Sequence, residues 1–229
     1  MSKLDQWAAI PREHVPYVAA WSDEKAIAIK PCVYARGPAI CRPQRIGSGS
    51  PLLGKMDEFR QRRCMVVKLC QVCGEPPGMF SIGLDRVASV NLPGQILRLP
   101  VLFEPPACVR CAKLALVRCP ALGRLREAGK LAVYKVRAYQ LMLSHVGPDG
   151  SGDALDRALA KWKGSAPVGY ARAVLRDFDT ITAEDVEAME PPPLVADEPT
   201  SLLVGSPEFK KLCQSRLNAI LQSGPKGKR

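Results

Sequence analysis

Cys70-Gln71-Val72-Cys73-Gly74 and Cys108-Val109-Arg110-Cys111 carry the strongest chemical signal in this chain. Each C-x-x-C can bring two thiols to one centre. Thiolates are soft donors, and four of them suit a tetrahedral zinc ion. The glycine after the first pair permits a tight turn that aims backbone N–H groups at the metal ligands. A helix-forming run follows the second pair, which would place its thiols in a first helical turn, where the dipole favours thiolate. The expectation is one structural zinc on Cys70, Cys73, Cys108 and Cys111. Two other readings stay open: buried free cysteines, and a redox C-x-x-C, for which no thioredoxin-like βαβ context is recognisable. Cys64 and Cys119 flank the pairs. Either could replace a ligand, although buried apolar cysteine is the plainer reading. Cys32, Cys41 and Cys213 are expected to be packing residues.

Other spacings are weaker. Gly49-Ser50-Pro51-Leu52-Leu53-Gly54-Lys55 follows the phosphate-loop pattern up to its lysine, but Met56 stands where a magnesium-holding Ser or Thr is needed. A glycine-rich loop explains it more simply. Asp177, Asp179, Glu184 and Asp185 read as loop and cap carboxylates. The two histidines, His14 and His145, are isolated, so no Ser-His-Asp or Cys-His arrangement is recoverable.

Lys and Arg number 33 against 22 Asp and Glu, giving a formal net charge of +11, which points to polyanionic partners, chiefly nucleic acid. The basic residues gather round the cysteines. Arg60, Arg62 and Arg63 precede the first pair; Arg110, Lys113 and Arg118 begin or follow the second. These six are the candidate phosphate contacts, with a solvated face as the alternative. A positive face is expected where the two segments meet round the metal. Aromatics are 6%, too few for a large base-stacking surface. The first residues lack the apolar core of a signal peptide, and no apolar run reaches the roughly 18–20 residues that span a bilayer. A cytoplasmic location without membrane contact is expected. There, paired cysteines bind metal more often than they form disulfides.

The elements that position these groups should be short, because Pro (21) and Gly (18) are frequent. Trp7, Ile10, Val15, Val18 and Trp21 should pack onto the core, with a short helix from Pro11. Residues 30–55 read mainly as loop, 56–63 as a short helix, and 65–69 as β-prone. Between the pairs, residues 80–84 and 95–103 suggest a hairpin or two short strands, turned at Asn91-Leu92-Pro93-Gly94. Residues 112–118 seed a helix that Pro120 ends or kinks. Residues 131–146 read as a strand, 148–152 as a turn and 153–163 as a helix with Leu155, Leu159 and Trp162 on one face. Thr182 to Asp185 resembles a capping box opening a short helix to Met189. Ser206-Pro207-Glu208 opens an amphipathic helix striped by Phe209, Leu212, Cys213, Leu217, Ile220 and Leu221. The organisation expected is a lead-in and loop (1–55), a metal module (56–130), an α+β extension (131–190), a linker (191–205), the amphipathic helix (206–224) and a basic tail (225–229).

Knuckle, hairpin, then a helix bearing the second pair resembles the layout of treble-clef zinc modules over Cys70 to Arg118. That resemblance implies an α+β fold built round the metal. It is similar in layout to the HNH endonucleases, whose catalytic histidines belong in the hairpin and helix. This chain has none there, so no catalytic residue carries over. The Arg-, Ala-, Pro- and Val-rich composition looks like that of small accessory proteins from high-GC actinobacteria and their phages. The functional expectation is a non-enzymatic, nucleic-acid-associated or regulatory zinc protein. The alternative is a protein-interaction adaptor docking through residues 206–224, and an enzyme of unrecognised type comes third.

Overall fold

Val168–Ile181 is the spine of the molecule: this strand, β9, pairs along both of its edges. The computed structural model describes residues 15–92, 95–149 and 153–190. The other strands are β1 (Ala19–Trp21), β2 (Ala28–Cys32), β3 (Gly37–Cys41), β4 (Pro51–Met56), β5 (Phe80–Leu84), β6 (Val87–Leu92), β7 (Gln95–Leu102) and β8 (Leu131–His145). The helices are α1 (Glu58–Val67), α2 (Val109–Arg118), α3 (Pro120–Glu127), α4 (Ala154–Lys161) and α5 (Ala183–Ala188).

β8 runs antiparallel to β9 from Val133↔Ile181 to His145↔Val168, with register shifts round Ala138 that bend the pair. On the opposite edge of β9, β7 pairs at Val101↔Val174 and β3 joins in parallel at Ala39↔Val168. β6 extends β7, β2 extends β3, and β5 lies on the outer edge of β8. β1 and β4 form a separate two-stranded ribbon. The fold is mixed, with helices packed on sheet. Strands from residues 28–41, 80–102 and 131–181 share one sheet. The first compact unit of the chain ends at Met189.

Alternation along the strands sorts the core into two layers. Tyr134, Val136, Ala171, Ala173 and Leu175 pack with Met65 of α1. Phe80 and Val133 pack with Val109, Ala112 and Leu116 of α2 and with Ala183 and Val186 of α5. Thr182 and Asp185 form the expected capping box at α5. Pro120 ends α2 by opening α3 as its first residue.

Several expectations are corrected. Residues 65–67 are the last turn of α1, not a strand, because Met65 and Val67 bury fully in a helical register. Residues 30–55 contain β2, β3 and β4 rather than loop alone. The phosphate-loop look-alike is largely β4, whose residues 51–56 pair with β1, so no loop-to-helix cradle exists there. The partner of β7 is β6, which the sequence did not suggest, while β5 pairs with β8. The helix expected from Pro11, the segment 206–224 with Cys213, and the tail lie outside the described residues.

α1 is unusual for a helix inside a protein. Glu58, Arg60, Gln61, Arg62 and Arg63 are all buried. Arg60 meets Glu24 and also donates to the Ala19 carbonyl at 2.7 Å. Arg42 pairs with Glu58 at 2.8 Å. Gln61 donates to the Phe103 carbonyl at 2.9 Å and to the Ala171 carbonyl at 2.6 Å, and accepts from the Ala171 N–H at 2.9 Å. Arg62 donates to the carbonyls of Gly169 and Ile40. Arg60, Gln61 and Arg62 thus serve backbone or carboxylate groups of distant segments, which is the condition for burying such groups.

Candidate metal centre

The first cysteine pair sits in a turn directly after α1. The Gly74 N–H donates to the Cys70 carbonyl at 2.9 Å, and the Cys70 N–H to the Glu75 carbonyl at 2.7 Å. The Val72 N–H points at the Cys70 Sγ, 3.4 Å away. Gly74 has φ of 77°, and a Cβ there would come 3.1 Å from the Tyr17 ring, so both backbone and space call for glycine. Outside segments clamp the turn: the Tyr17 N–H bonds the Val72 carbonyl at 2.8 Å, and the Gln71 N–H bonds the Pro106 carbonyl at 3.2 Å.

The second pair opens α2. Cys108 is the N-cap, and its side chain makes no cap hydrogen bond; Cys111 lies in the first turn. Reciprocal hydrogen bonds between Phe80 and Ala107 fix the entry to this helix beside β5. The four sulfurs of Cys70, Cys73, Cys108 and Cys111 all lie within 4.8 Å of one another. Cys73 Sγ and Cys108 Sγ are 4.0 Å apart. Four sulfurs at tetrahedral corners, each about 2.3 Å from a zinc, stand about 3.8 Å apart, so the cluster is close to ligating size. Cys70 and Cys111 are buried while Cys73 is exposed, leaving the cluster one open side.

Electrostatics within the cluster follow from that crowding. Hydrogen bonding from Cys111, then Cys70 and Cys73, holds the Cys108 thiol far below its ordinary value. The same contact with Cys108, followed by those with Cys70 and Cys73, pushes the Cys111 thiol up. A metal ion would replace these shared protons. Sulfur donors favour zinc and other thiophilic ions over magnesium or calcium.

Nothing among protein-family models, curated proteins or solved structures matches this chain.

Among the described residues the clustered ligands are the expected four, and neither Cys64 nor Cys119 joins them. Cys64 is fully buried. Cys32 and Cys41 pack beside Arg62, whose Nη2 lies 3.9 Å and 3.8 Å from their sulfurs. Hydrogen bonding from Cys41 is the main influence on the Cys32 thiol, and with Arg62 it outweighs burial, pulling the thiol down to about 5. His145 is exposed, its Nδ1 2.9 Å from the Ala166 carbonyl.

The expected positive face is corrected. Arg60 and Arg62 have no solvent exposure and Arg63 is 9% exposed, with its Nη1 donating to the Tyr17 hydroxyl at 3.1 Å. These guanidiniums are committed to internal acceptors and do not form a surface for phosphate. Lys113 is half-buried and donates to the Met189 carbonyl at 2.8 Å. Arg110 and Arg118 are exposed. Sequence spacing also passed over Arg86, Phe103, Met142 and Arg172, which line one open groove. They come from four separate segments, and no local pattern in the sequence joins them. Among the described residues no helix is long and apolar enough to cross a membrane.

Proposed function

We propose that the chain is a zinc-stabilised binding protein that associates with nucleic acid, its zinc serving the fold rather than a reaction. The observation that carries the reading is the gathering of Cys70, Cys73, Cys108 and Cys111 within 4.8 Å. Four thiolates close a tetrahedral site and leave no position for a substrate or an activated water. The order of turn, strands and helix round the cluster supports a treble-clef-like arrangement. The metal would tie the end of α1 to the start of α2, and so join the two core layers.

The nucleic-acid part is supported by the net charge of +11. The buried acids Glu24, Asp57 and Glu58 are matched by the buried Arg60, Arg62 and Arg63, so the cationic excess belongs to the rest of the chain. Metal analysis of protein purified without chelator should find about one zinc per chain. Retention on single- and double-stranded nucleic acid over a salt series tests the second part, since phosphate neutralisation releases counterions. Fully folded, metal-free protein would overturn the first part. No retention at low salt would overturn the second.

A further inference from the structure

We propose that the groove lined by Arg86, Val87, Val101, Phe103, Met142 and Arg172 is a binding surface for single-stranded nucleic acid. The inference rests on the nucleic-acid reading above and gives it a place and a substrate class. Register puts Val101, Met142 and Arg172 on one face of the large sheet, and Arg86, Val87 and Phe103 complete the groove from the adjoining segments. Met142 is opposite Arg172, and Gln140 and Val101 are both opposite Val174. The other face at this point is covered by α1, through Met65 against Ala171, Ala173 and Leu175. The groove side remains open: Met142 is 49% exposed and Val87 53%.

The charges in this groove are handled differently from those elsewhere. Exposed Arg126 pairs with Glu184 and Glu187, and exposed Arg137 with Asp177 and Asp179. Arg86 and Arg172 are exposed too, yet among the described residues neither has a carboxylate within ion-pairing distance. Instead each guanidinium carbon lies 4.7 Å from the centroid of the Phe103 ring. Stacking of this kind holds a guanidinium in place while leaving its N–H edge to an acceptor. Burial raises the nearby Glu104 carboxyl and the charge of Arg86 only partly opposes this, with no ion pair between them.

Two guanidiniums with free N–H edges suit phosphate oxygens, and the apolar floor between them suits base faces. A duplex presents phosphates but hides its bases in the stack. An acidic peptide offers carboxylates but few planar faces. A single strand offers both features, and bases stack on guanidinium planes as well as on aromatic rings. Scarcity of aromatic residues is therefore no obstacle here.

The test uses full-length, zinc-loaded protein and a fluorescently labelled oligo-uridine strand, read by anisotropy over a salt series. The Arg86→Gln/Arg172→Gln double variant should bind about tenfold more weakly at low salt. Its slope of log affinity against log salt should be shallower by about 1.4, two phosphate contacts at roughly 0.7 each for a single strand. Met142→Glu, which places a negative charge on the exposed floor, should weaken binding to a similar degree. Lys161→Gln/Lys163→Gln, a charge-matched change away from the groove, should bind as wild type does. Equal binding by wild type and the Arg86/Arg172 variant overturns the location while leaving the nucleic-acid reading standing. Loss of binding in Arg110→Gln/Arg118→Gln alone would do the same and move the surface to α2. Competition by duplex DNA or polyglutamate as effective as that by unlabelled oligo-uridine overturns the single-strand assignment. Wild-type protein that binds no nucleic acid overturns both proposals together.

Discussion

Glu24 and Arg60 meet as a two-point fork in the protein interior, with Nη1 2.7 Å from Oε1 and Nη2 2.7 Å from Oε2, and neither side chain exposed to solvent. The carboxylate also accepts the Trp21 N–H at 2.9 Å and the Arg45 N–H at 2.8 Å. Such saturation is what makes a buried ion pair tolerable, because desolvation alone costs several kcal/mol per ion.

Glu24→Gln should therefore be strongly destabilising. The amide presents a donor where donors already converge, and the Arg60 charge keeps only the more distant Asp57 carboxylate, 3.8 Å from its Nε. A loss of about 3–5 kcal/mol is expected, read as a lower urea midpoint at unchanged slope. Glu24→Leu/Arg60→Met removes both charges and should recover a good part of it. A double variant no more stable than Glu24→Gln would show that the fork itself, rather than the orphaned charge, is the source of the stability.

The same fork sets an acid limb. Burial acts to raise the Glu24 carboxyl, but the Arg60 bonds and the two N–H donors outweigh it and hold it below its ordinary value. The folded state then binds this proton more weakly than the unfolded state. Its contribution is present above the ordinary carboxylate range, about pH 4.3, and is lost as pH falls through the lower folded value. Asp57 has the opposite sign: burial raises it, so ionising it opposes folding as pH rises through that range. Melting temperature against pH should fall more steeply on the acid side for wild type than for Glu24→Gln. Parallel curves would remove Glu24 from the account.

Gln61→Leu tests the side chain that substitutes for a strand neighbour. It strands three backbone groups: the Phe103 carbonyl and both the N–H and carbonyl of Ala171. At about 1–3 kcal/mol for each buried unsatisfied group, with some relaxation, a loss of about 3 kcal/mol is expected. Hydrogen exchange at the Ala171 amide should quicken in the variant by more than the global loss explains. Protection that falls only in step with global stability would make the amide pair incidental.

Cys73→Ser should lose metal and a large part of the melting temperature, whereas Cys119→Ser should keep both. Cys119 caps α2 and α3 but lies outside the sulfur cluster. Chelator treatment of wild type should reproduce the Cys73→Ser melt, since structural zinc contributes directly to folding free energy. Equal metal content in the two variants would refute the ligand assignment.

The cysteine cluster was legible because its spacing is local: two C-x-x-C turns and a helix start can be read within a few residues. β5, β7, α2 and β8 were legible by periodicity, and α5 by its cap. β9 was not, because Ala171 and Ala173 are small, Arg172 and Arg176 interrupt the pattern, and Val174 buries on the face opposite theirs. The arginines of α1 were misread for a physical reason. A cationic run normally faces water, and its internal destinations, Glu24, Ile40 and Gly169, are set by tertiary contacts across 22 to 107 residues. Charge within a window says nothing about acceptors that far away.

The polar character of α1 has a consequence for synthesis. Gln61 leaves the ribosome 110 residues before Ala171, the strand position that it must join. At about 5–20 residues per second the helix waits several seconds for that partner. An apolar helix kept waiting would be a site for chaperones or for sticking to other nascent chains. A helix recognised largely through charges and amides leaves only a short apolar end, Met65 and Val67, in water until its acceptors arrive.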